Sequence, residues 1–199
     1  MQQLDLSLLL WLHDRPPALL SAMRAITVSG SYGGVFVLIG ALLLLLGRGT
    51  WRQIGLRLLL GLLGILLLVD LILKPLIARP RPYTVLGRDF LIGPLPHGLS
   101  FPSGHAAAAF LGATVLAAYL GRYRVLLFVY AILVAWSRLY LGAHWPSDVI
   151  AGALIGIALG LLAIRIQPSH RVEVPSDGRT PRRPARGRKI RPGTGDDQP

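Results

Sequence analysis

The chain has 199 residues, of which 53% are hydrophobic and 15% charged, and its formal net charge at pH 7 is +12. A soluble domain usually carries about 25% charged residues, so this composition excludes an ordinary soluble enzyme, and the apolar content excludes wholesale disorder. The absence of cysteine excludes disulfides, thiolate metal sites and a cysteine nucleophile. The positive charge leaves two classes, a nucleic-acid-binding protein or a membrane protein with basic loops on one side.

The first 30 residues are predicted to form helices that lie in the membrane interface. Residues 4–12 are apolar but too few to span, and no basic residue precedes them, so they are not typical of a signal peptide. Residues 18–29 have a mixed apolar pattern with one arginine. We therefore expect N-terminal interfacial helices over 1–30, with a sixth span over residues 16–30 as the alternative.

Five long apolar segments follow, and each approaches the roughly 20 residues that cross a bilayer. They lack the polar face at helical period that a soluble helix carries. Small residues favour close packing of helices in lipid, and glycine occurs at positions 61, 64, 112, 152, 156 and 160. We predict an all-α, polytopic membrane helix bundle over 31–168, with transmembrane helices near residues 31–47, 54–75, 103–121, 124–141 and 147–166.

The positions of the basic residues predict the orientation of the bundle. Arginines flank the first connection between spans (48, 52 and 57) and the third (122 and 124), and the tail contains most of the others. With five spans all of these lie on one side, which the positive-inside rule places in the cytoplasm. The connections 76–102 and 142–146 then face outward from the inner (plasma) membrane.

The tail, residues 169–199, is rich in proline, glycine and arginine and has no apolar period. We predict a disordered, basic cytoplasmic tail that also touches anionic lipid. Nucleic-acid binding is disfavoured, because no folded basic module accompanies the tail.

The outward connections contain cations that the topology does not require. Lys74 and Arg81 follow the second span, and Arg138 lies near the end of the fourth. A cation in or beside a membrane helix is costly and usually functional, although Lys74 can also reach the interface with Asp70 as its i,i+4 partner. Several cations without matching acids indicate an anionic ligand held by charge-assisted hydrogen bonds.

A second candidate element begins at Ser103, which suits a helix N-cap before an alanine-rich helix. Gly104 follows, and free N–H groups at a helix N-terminus can bind phosphate. His105 would lie in the first turn, near any bound anion, although a single histidine is more often structural.

A third candidate element combines His144 with Asp148. Pro146 suits the first turn of a new helix, so His144 precedes the fifth span and Asp148 lies in its first turn. The carboxylate can accept the Nδ1–H of His144, leaving Nε2 free as a nucleophile or base. Alternatively, Asp148 only complements the helix dipole.

Together, three motifs in chain order resemble the signature of the type 2 phosphatidic acid phosphatase (PAP2) superfamily of membrane lipid phosphatases. The motifs are Lys74-x6-Arg81-Pro82, Pro102-Ser103-Gly104-His105 and Ser137-Arg138-x5-His144-x3-Asp148. Every signature position matches. The motifs occupy residues 74–148, and the span layout extends the resemblance over roughly 1–167.

The resemblance implies a role for each matching position. His144 attacks phosphorus to form a phosphohistidine, Asp148 orients it, and His105 protonates the leaving oxygen and then activates water. The implied phosphate-binding positions are Lys74, Arg81, Ser103, Gly104 and Arg138. Because three cations and helix N–H groups can neutralise the phosphoryl oxygens, we expect neither a metal nor another cofactor.

The substrate is expected to be an amphiphile whose phosphate reaches the outward loops while its chain stays in lipid. The short chain most resembles bacterial undecaprenyl-diphosphate phosphatases, and Arg79 and Arg88 would lie near a second phosphate. Phosphatidylglycerophosphate or phosphatidate is the alternative, and lipid A is less favoured. The spans argue against a soluble vanadate haloperoxidase, and an inactive lipid-phosphate-binding or transport protein would lack a catalytic residue, whereas none is missing.

Overall fold

The computed structural model describes residues 2–11, 17–92, 95–96 and 98–166, and the regular secondary structure in these ranges is helical. The predicted tail, residues 169–199, lies outside the described residues. The α-helices are α1 Gln2–Trp11, α2 Leu20–Ser29, α3 Gly34–Leu46, α4 Thr50–Ile65, α5 Lys74–Ile77, α6 Pro82–Leu86, α7 Gly104–Tyr119, α8 Arg124–Tyr140 and α9 Pro146–Arg165. A π-helix, Leu66–Leu73, joins α4 to α5.

Helix α7 lies at the centre of the bundle, with α4, α8 and α9 packed around it. Four consecutive alanines, Ala106 to Ala109, follow Gly104 and His105 at its start, and all four are buried. Small side chains let neighbouring backbones approach closely, which is how helices pack in lipid without a hydrophobic force between them. The central position therefore follows from the composition of the helix.

The glycines of α9 form the contact with α7. A Cβ added at Gly156 would lie 2.2 Å from the carbonyl oxygen of Ala107, and one at Gly152 would lie 2.4 Å from that of Ser103. Gly160 faces Thr114 in the same way. The predicted close packing is confirmed along this face, whereas at Gly64 an added Cβ would meet nothing within 4 Å.

Three helices in the described part of the chain are long and apolar enough to cross a membrane: Thr50–Leu86, Gly121–Tyr140 and Pro146–Arg165. Leu20–Ser29 and Ser31–Leu46 together make a fourth candidate, bent by 46° at the break between them. The apolar helix Gly104–Tyr119 is shorter and surrounded by the others. Each of the five predicted segments therefore lies on an apolar helix of the bundle.

Helix α2 packs on the bundle. It lies against α8, and its Met23 is buried beside Tyr140 and Leu141. The bend after it runs through Tyr32 and Gly33, which both have positive φ, at 50° and 70°. Whether α2 lies in the interface or forms the first half of a bent span stays a prediction.

Helix α1 packs across the end of the bundle at which α9 begins. Leu9 is fully buried there in a small apolar cluster with Phe90 and Trp145. Helix α1 thus contacts both the 76–102 connection, at Phe90, and the start of α9, at Trp145.

The basic residues of the first and third connections lie at the opposite end of the bundle. Arg57 differs from the others, because it is buried within α4, donates to the hydroxyl of Tyr119 and stacks on that ring. It contributes to packing between α4 and α7 as well as to the charge at this end.

Candidate active site

The three motifs meet at the end of the bundle where α7 and α9 begin. Backbone hydrogen bonds join them, from Ser103 N to the carbonyl oxygen of Asp148 and from Ser100 N to that of Arg79, both 2.9 Å long. The indole of Trp145 also donates to the carbonyl oxygen of Pro80 over 2.9 Å. Three segments that are far apart in sequence are therefore held in fixed positions relative to one another.

His144 and Asp148 form a buried pair. Asp148 is fully buried, and its Oδ2 accepts hydrogen bonds from Trp145 N at 2.9 Å and from the Ser100 hydroxyl. His144 Nδ1 lies 3.5 Å from the same oxygen. Since the carboxylate faces Nδ1, the other ring nitrogen, Nε2, is the one directed away from it.

Nε2 of His144 faces the guanidinium of Arg81, with Nη1 at 3.2 Å. Arg81 is only 4% exposed, and the carbonyl oxygens of Gly98 and Ala143 each accept a hydrogen bond from it over 2.9 Å. A fixed cation therefore lies beside the nitrogen predicted to be the nucleophile, where it can hold a phosphoryl oxygen.

Burial keeps the His144 imidazole neutral. It lowers the pKa of His144 from 6.5 to about 3; Asp148 raises the pKa, and the charges of Arg138 and Arg81 lower it. A neutral imidazole is the form that can attack phosphorus.

Ser103 is the N-cap of α7, as predicted, and accepts a hydrogen bond from Ala106 N over 3.4 Å. Gly104 follows next to Asp70, since a Cβ added there would lie 3.8 Å from Oδ2 of that residue. The N-terminus of α7 thus faces the middle of the π-helix. Lys74 donates to Asp70, its predicted i,i+4 partner.

His105 lies where the predicted cations converge. Arg138, Lys74 and Arg81 are all close enough to interact with it electrostatically, and so is His144. The fold therefore brings both histidines and all three predicted phosphate-binding cations to one place.

Arg138 lies on α8 and is only 7% exposed. Its Nη1 donates to the Thr27 hydroxyl on α2, and its Nε has no hydrogen-bond partner among the described residues. A buried N–H without a partner is costly, which is consistent with an anion as its ligand.

Residues from the N-terminal helices complete the site, and sequence reasoning missed them. Thr27 contacts Arg138, the Ser31 hydroxyl lies 3.3 Å from Nε2 of His105, and Asp5 joins a network behind Asp148. The one available signal was Asp5, the single charged residue of a largely apolar helix.

Arg79 does not extend toward a second phosphate, contrary to expectation. Its guanidinium donates to Asp5 and to Asp148, both over 2.6 Å. The carboxylates provide a stronger partner than solvent, so Arg79 lies behind the catalytic pair. Arg88 is exposed in the same connection. No group of three or more histidine or acidic residues in the described ranges is arranged to hold a metal ion.

Residues 55–171 match the family model described as the PAP2 superfamily. The chain belongs to the PAP2 superfamily. This confirms the family predicted from the three motifs and makes the protein a multi-pass membrane lipid phosphatase of the PAP2 type. The match begins within α4, so α1, α2 and α3 lie outside it.

Curated relatives extend this similarity. The chain is 35% identical to an undecaprenyl-diphosphatase of Sulfolobus acidocaldarius over 68% of its own length and 66% of that protein. It is 32% identical to the putative undecaprenyl-diphosphatase YbjG of Escherichia coli over 83% of each chain. A phosphatidylglycerophosphatase B of Bacillus subtilis is 35% identical over 74% of this chain and 75% of that protein.

Two crystal structures have a similar fold. A transmembrane PAP2-type phosphatidylglycerolphosphate phosphatase from Bacillus subtilis superposes with a TM-score of 0.66 at 31% identity, over 82% of this chain and 84% of that one. Aquifex aeolicus LpxE gives a TM-score of 0.65 at 34% identity, over 81% and 94%. The predicted all-α membrane fold is confirmed.

Proposed function

We propose that this PAP2 protein hydrolyses undecaprenyl diphosphate through a phosphohistidine formed on His144. The observation that carries the proposal is the environment of the His144 ring, with Asp148 on the Nδ1 side and the Arg81 guanidinium 3.2 Å from Nε2. A neutral nucleophile and a cation for the phosphoryl group lie side by side, which is the arrangement that phosphoryl transfer requires.

In the first step, Nε2 of His144 attacks the terminal phosphorus and the bond from phosphorus to the leaving oxygen breaks. His105 donates the proton that this oxygen takes up. Asp148 stabilises the positive charge that develops on His144. In the second step, His105 removes a proton from water, the resulting hydroxide attacks phosphorus, and the bond to His144 breaks.

The phosphoryl oxygens are held by Lys74, Arg81 and Arg138, together with N–H groups at the start of α7. Ser103 fixes that helix start as its N-cap, and Gly104 leaves room beside it. Three positive charges in a largely buried site stabilise the developing negative charge more than they would in bulk solvent. Arg138 contributes its Nε, which has no hydrogen-bond partner in the part of the chain that the structure describes.

The undecaprenyl substrate is supported by the relatives that span most of the chain, since the similarity to YbjG covers 83% of both proteins. A site at one end of an apolar helix bundle suits a long lipid whose phosphates lie at the membrane surface. The active site would face outward from the inner membrane, with the tail in the cytoplasm, because the arginines of the first and third connections lie at the opposite end of the bundle.

Phosphatidylglycerophosphate is the second candidate. It is favoured by the Bacillus subtilis crystal structure, whose name specifies that activity and which matches 82% of this chain. The position of Arg79 also favours a monoester, because Asp5 and Asp148 bind the guanidinium that was expected to meet a second phosphate.

A substrate panel tests the proposal. The purified protein is assayed in detergent with C55 diphosphate, phosphatidylglycerophosphate and phosphatidate, and the substrates are ranked by kcat/KM. We expect C55 diphosphate to rank first. A higher value for phosphatidylglycerophosphate would transfer the assignment to the second candidate.

His144→Ala tests the mechanism independently of the substrate. We expect it to abolish both turnover and the acid-labile phosphoenzyme, while His170→Asn, a histidine substitution in the C-terminal segment, leaves both unchanged. Wild-type rates in His144→Ala protein free of host phosphatases would refute the phosphohistidine mechanism.

A further inference from the structure

We infer that Asp5 and Arg79 are positioning residues that fix the orientation and the charge of Asp148 behind His144. The inference rests on the proposed function, since it assigns Asp148 its role next to the nucleophile. It adds a residue of the N-terminal helix to the machinery of the reaction.

Arg79 bridges the N-terminal helix and the catalytic pair. Its Nη1 donates to Oδ1 of Asp148 and its Nη2 to Oδ2 of Asp5, both over 2.6 Å. The guanidinium also lies over the Trp145 ring, 5.4 Å from the centroid. Oδ1 of Asp148 is therefore bound by Arg79, while Oδ2 faces Ser100, Trp145 N and His144.

Asp5 holds the first turn of α9, on which Asp148 lies. Although it belongs to α1, it is 3% exposed, and it accepts hydrogen bonds from Ser147 N over 2.8 Å and from the Ser147 hydroxyl over 2.6 Å. A carboxylate at this position also complements the dipole of α9. The backbone next to Asp148 is thus fixed by a residue more than 140 positions away in the chain.

The charges of the three residues explain why two carboxylates share one guanidinium. Arg79 with Asp148 alone would be a neutral pair and would stabilise a positive His144 only weakly. With Asp5 the group carries one net negative charge, so Asp148 can act on the imidazole as a carboxylate. Burial raises the pKa of Asp5, but hydrogen bonds from Ser147 and Arg79 outweigh this and keep the carboxyl ionised.

The experiment compares Asp5→Asn and Arg79→Lys with two controls at exposed residues, Asp89→Asn in the 76–102 connection and Arg124→Lys at the start of α8. Asp5→Asn keeps the shape of the side chain and removes its charge, and Arg79→Lys keeps the charge but loses the planar fork that reaches both carboxylates. The full-length protein is used in detergent with p-nitrophenyl phosphate. The single-turnover rate of phosphohistidine formation is measured beside KM, the vanadate inhibition constant and the thermal unfolding midpoint.

We expect Asp5→Asn and Arg79→Lys to slow phosphohistidine formation by roughly tenfold or more, which corresponds to one pKa unit or more of lost stabilisation on His144. KM and vanadate affinity should change little, because the phosphate-binding cations are untouched. Both controls should behave as wild type. Loss of a purely structural residue would not lower the rate of phosphohistidine formation while leaving KM and vanadate affinity unchanged.

Wild-type phosphorylation rates in both variants would overturn the inference. So would a lower rate accompanied by an equally large decrease in vanadate affinity and an equally large increase in KM. If Asp5→Asn does not fold, Arg79→Lys is judged by the same criteria. His144→Ala is measured in parallel: if it retains activity, the proposed function fails, whereas an inactive His144→Ala with unaffected Asp5 and Arg79 variants overturns only this inference.

Discussion

The hydroxyl of Ser31 lies 3.3 Å from Nε2 of His105. The two residues are 74 positions apart, and Ser31 lies at the bend that follows α2, outside the part of the chain that matches the family model. Since His105 is the proposed acid and base, the hydrogen bond between the Ser31 hydroxyl and Nε2 fixes the orientation of the ring. It also marks the place where the leaving oxygen, and later the attacking water, must approach.

Ser31→Ala is therefore expected to reduce the turnover number by about two- to tenfold, the effect of losing one ordinary hydrogen bond. Steady-state kinetics with a water-soluble phosphomonoester measure it. Ser7→Ala is the matched control, because the Ser7 hydroxyl donates to the Gln3 carbonyl oxygen on an exposed face of α1. Equal rates for the two variants would mean that Ser31 does not orient His105.

His105→Ala should separate the two chemical steps. With p-nitrophenyl phosphate, whose leaving group needs no proton, His144 still becomes phosphorylated, but water is no longer activated. We expect a phosphoenzyme that persists, with turnover reduced by roughly 10²- to 10⁴-fold. Acid quenching followed by detection of the labile phosphoryl group gives the measurement, and a phosphoenzyme that decays at the wild-type rate would contradict the role of His105.

The sequence predicted the parts of the site that depend on short spacings. Ser103 caps the helix it was expected to cap, and Asp148 reaches His144 because it lies four positions after it, across the start of α9. Contacts of Asp5, Thr27 and Ser31 could not be predicted, since they depend on how α1 and α2 pack against the bundle. No periodicity in the sequence records that packing.

Arg79 and Arg81 illustrate the same limit. Two residues apart in one loop and chemically identical, they face different partners: Arg79 contacts Asp5 and Asp148, while Arg81 lies beside Nε2 of His144. The difference is set by the position of α1, which supplies a carboxylate for only one of them. From the sequence, Arg81 was assigned to the phosphate through its motif and Arg79 to a second phosphate.

Chelation should leave the activity unchanged. The proposed site uses Lys74, Arg81 and Arg138 to neutralise the phosphoryl oxygens, so no step needs a divalent cation. We expect the same kcat/KM in excess EDTA as in buffer. Loss of turnover on chelation, restored by Mg²⁺, would show that the mechanism is wrong.

The stability of the protein should depend on pH through His144. Burial lowers the pKa of His144 to about 3, whereas in the unfolded chain it is near 6.5. Between these values the unfolded state binds a proton that the folded state does not, so stability falls as the pH decreases through 6.5. At pH 5 the loss due to this group amounts to about 2 kcal/mol.

The comparison that isolates this effect is wild type against His144→Gln, unfolded thermally in detergent at pH 7.5 and pH 5. The variant lacks the titrating ring but keeps His105 and the carboxylates, whose contributions therefore largely cancel in the difference. We expect the wild-type midpoint to fall further on acidification than that of the variant. Parallel decreases would mean that His144 is not held neutral by burial.

The contact between α7 and α9 should be the packing most sensitive to added volume. At Gly156 a methyl group would lie 2.2 Å from a backbone carbonyl oxygen, and no rotamer change can relieve that overlap. Gly156→Ala is expected to destabilise the protein by about 1–3 kcal/mol, as overpacked cores do. At Gly64 the same substitution meets open space, so Gly64→Ala should stabilise α4 by up to about 1 kcal/mol through helix propensity. Thermal unfolding of the two variants gives the test. Because α9 also carries Asp148, Gly156→Ala should lose activity together with stability. A stable and active Gly156→Ala protein would show that the two helices do not pack this closely.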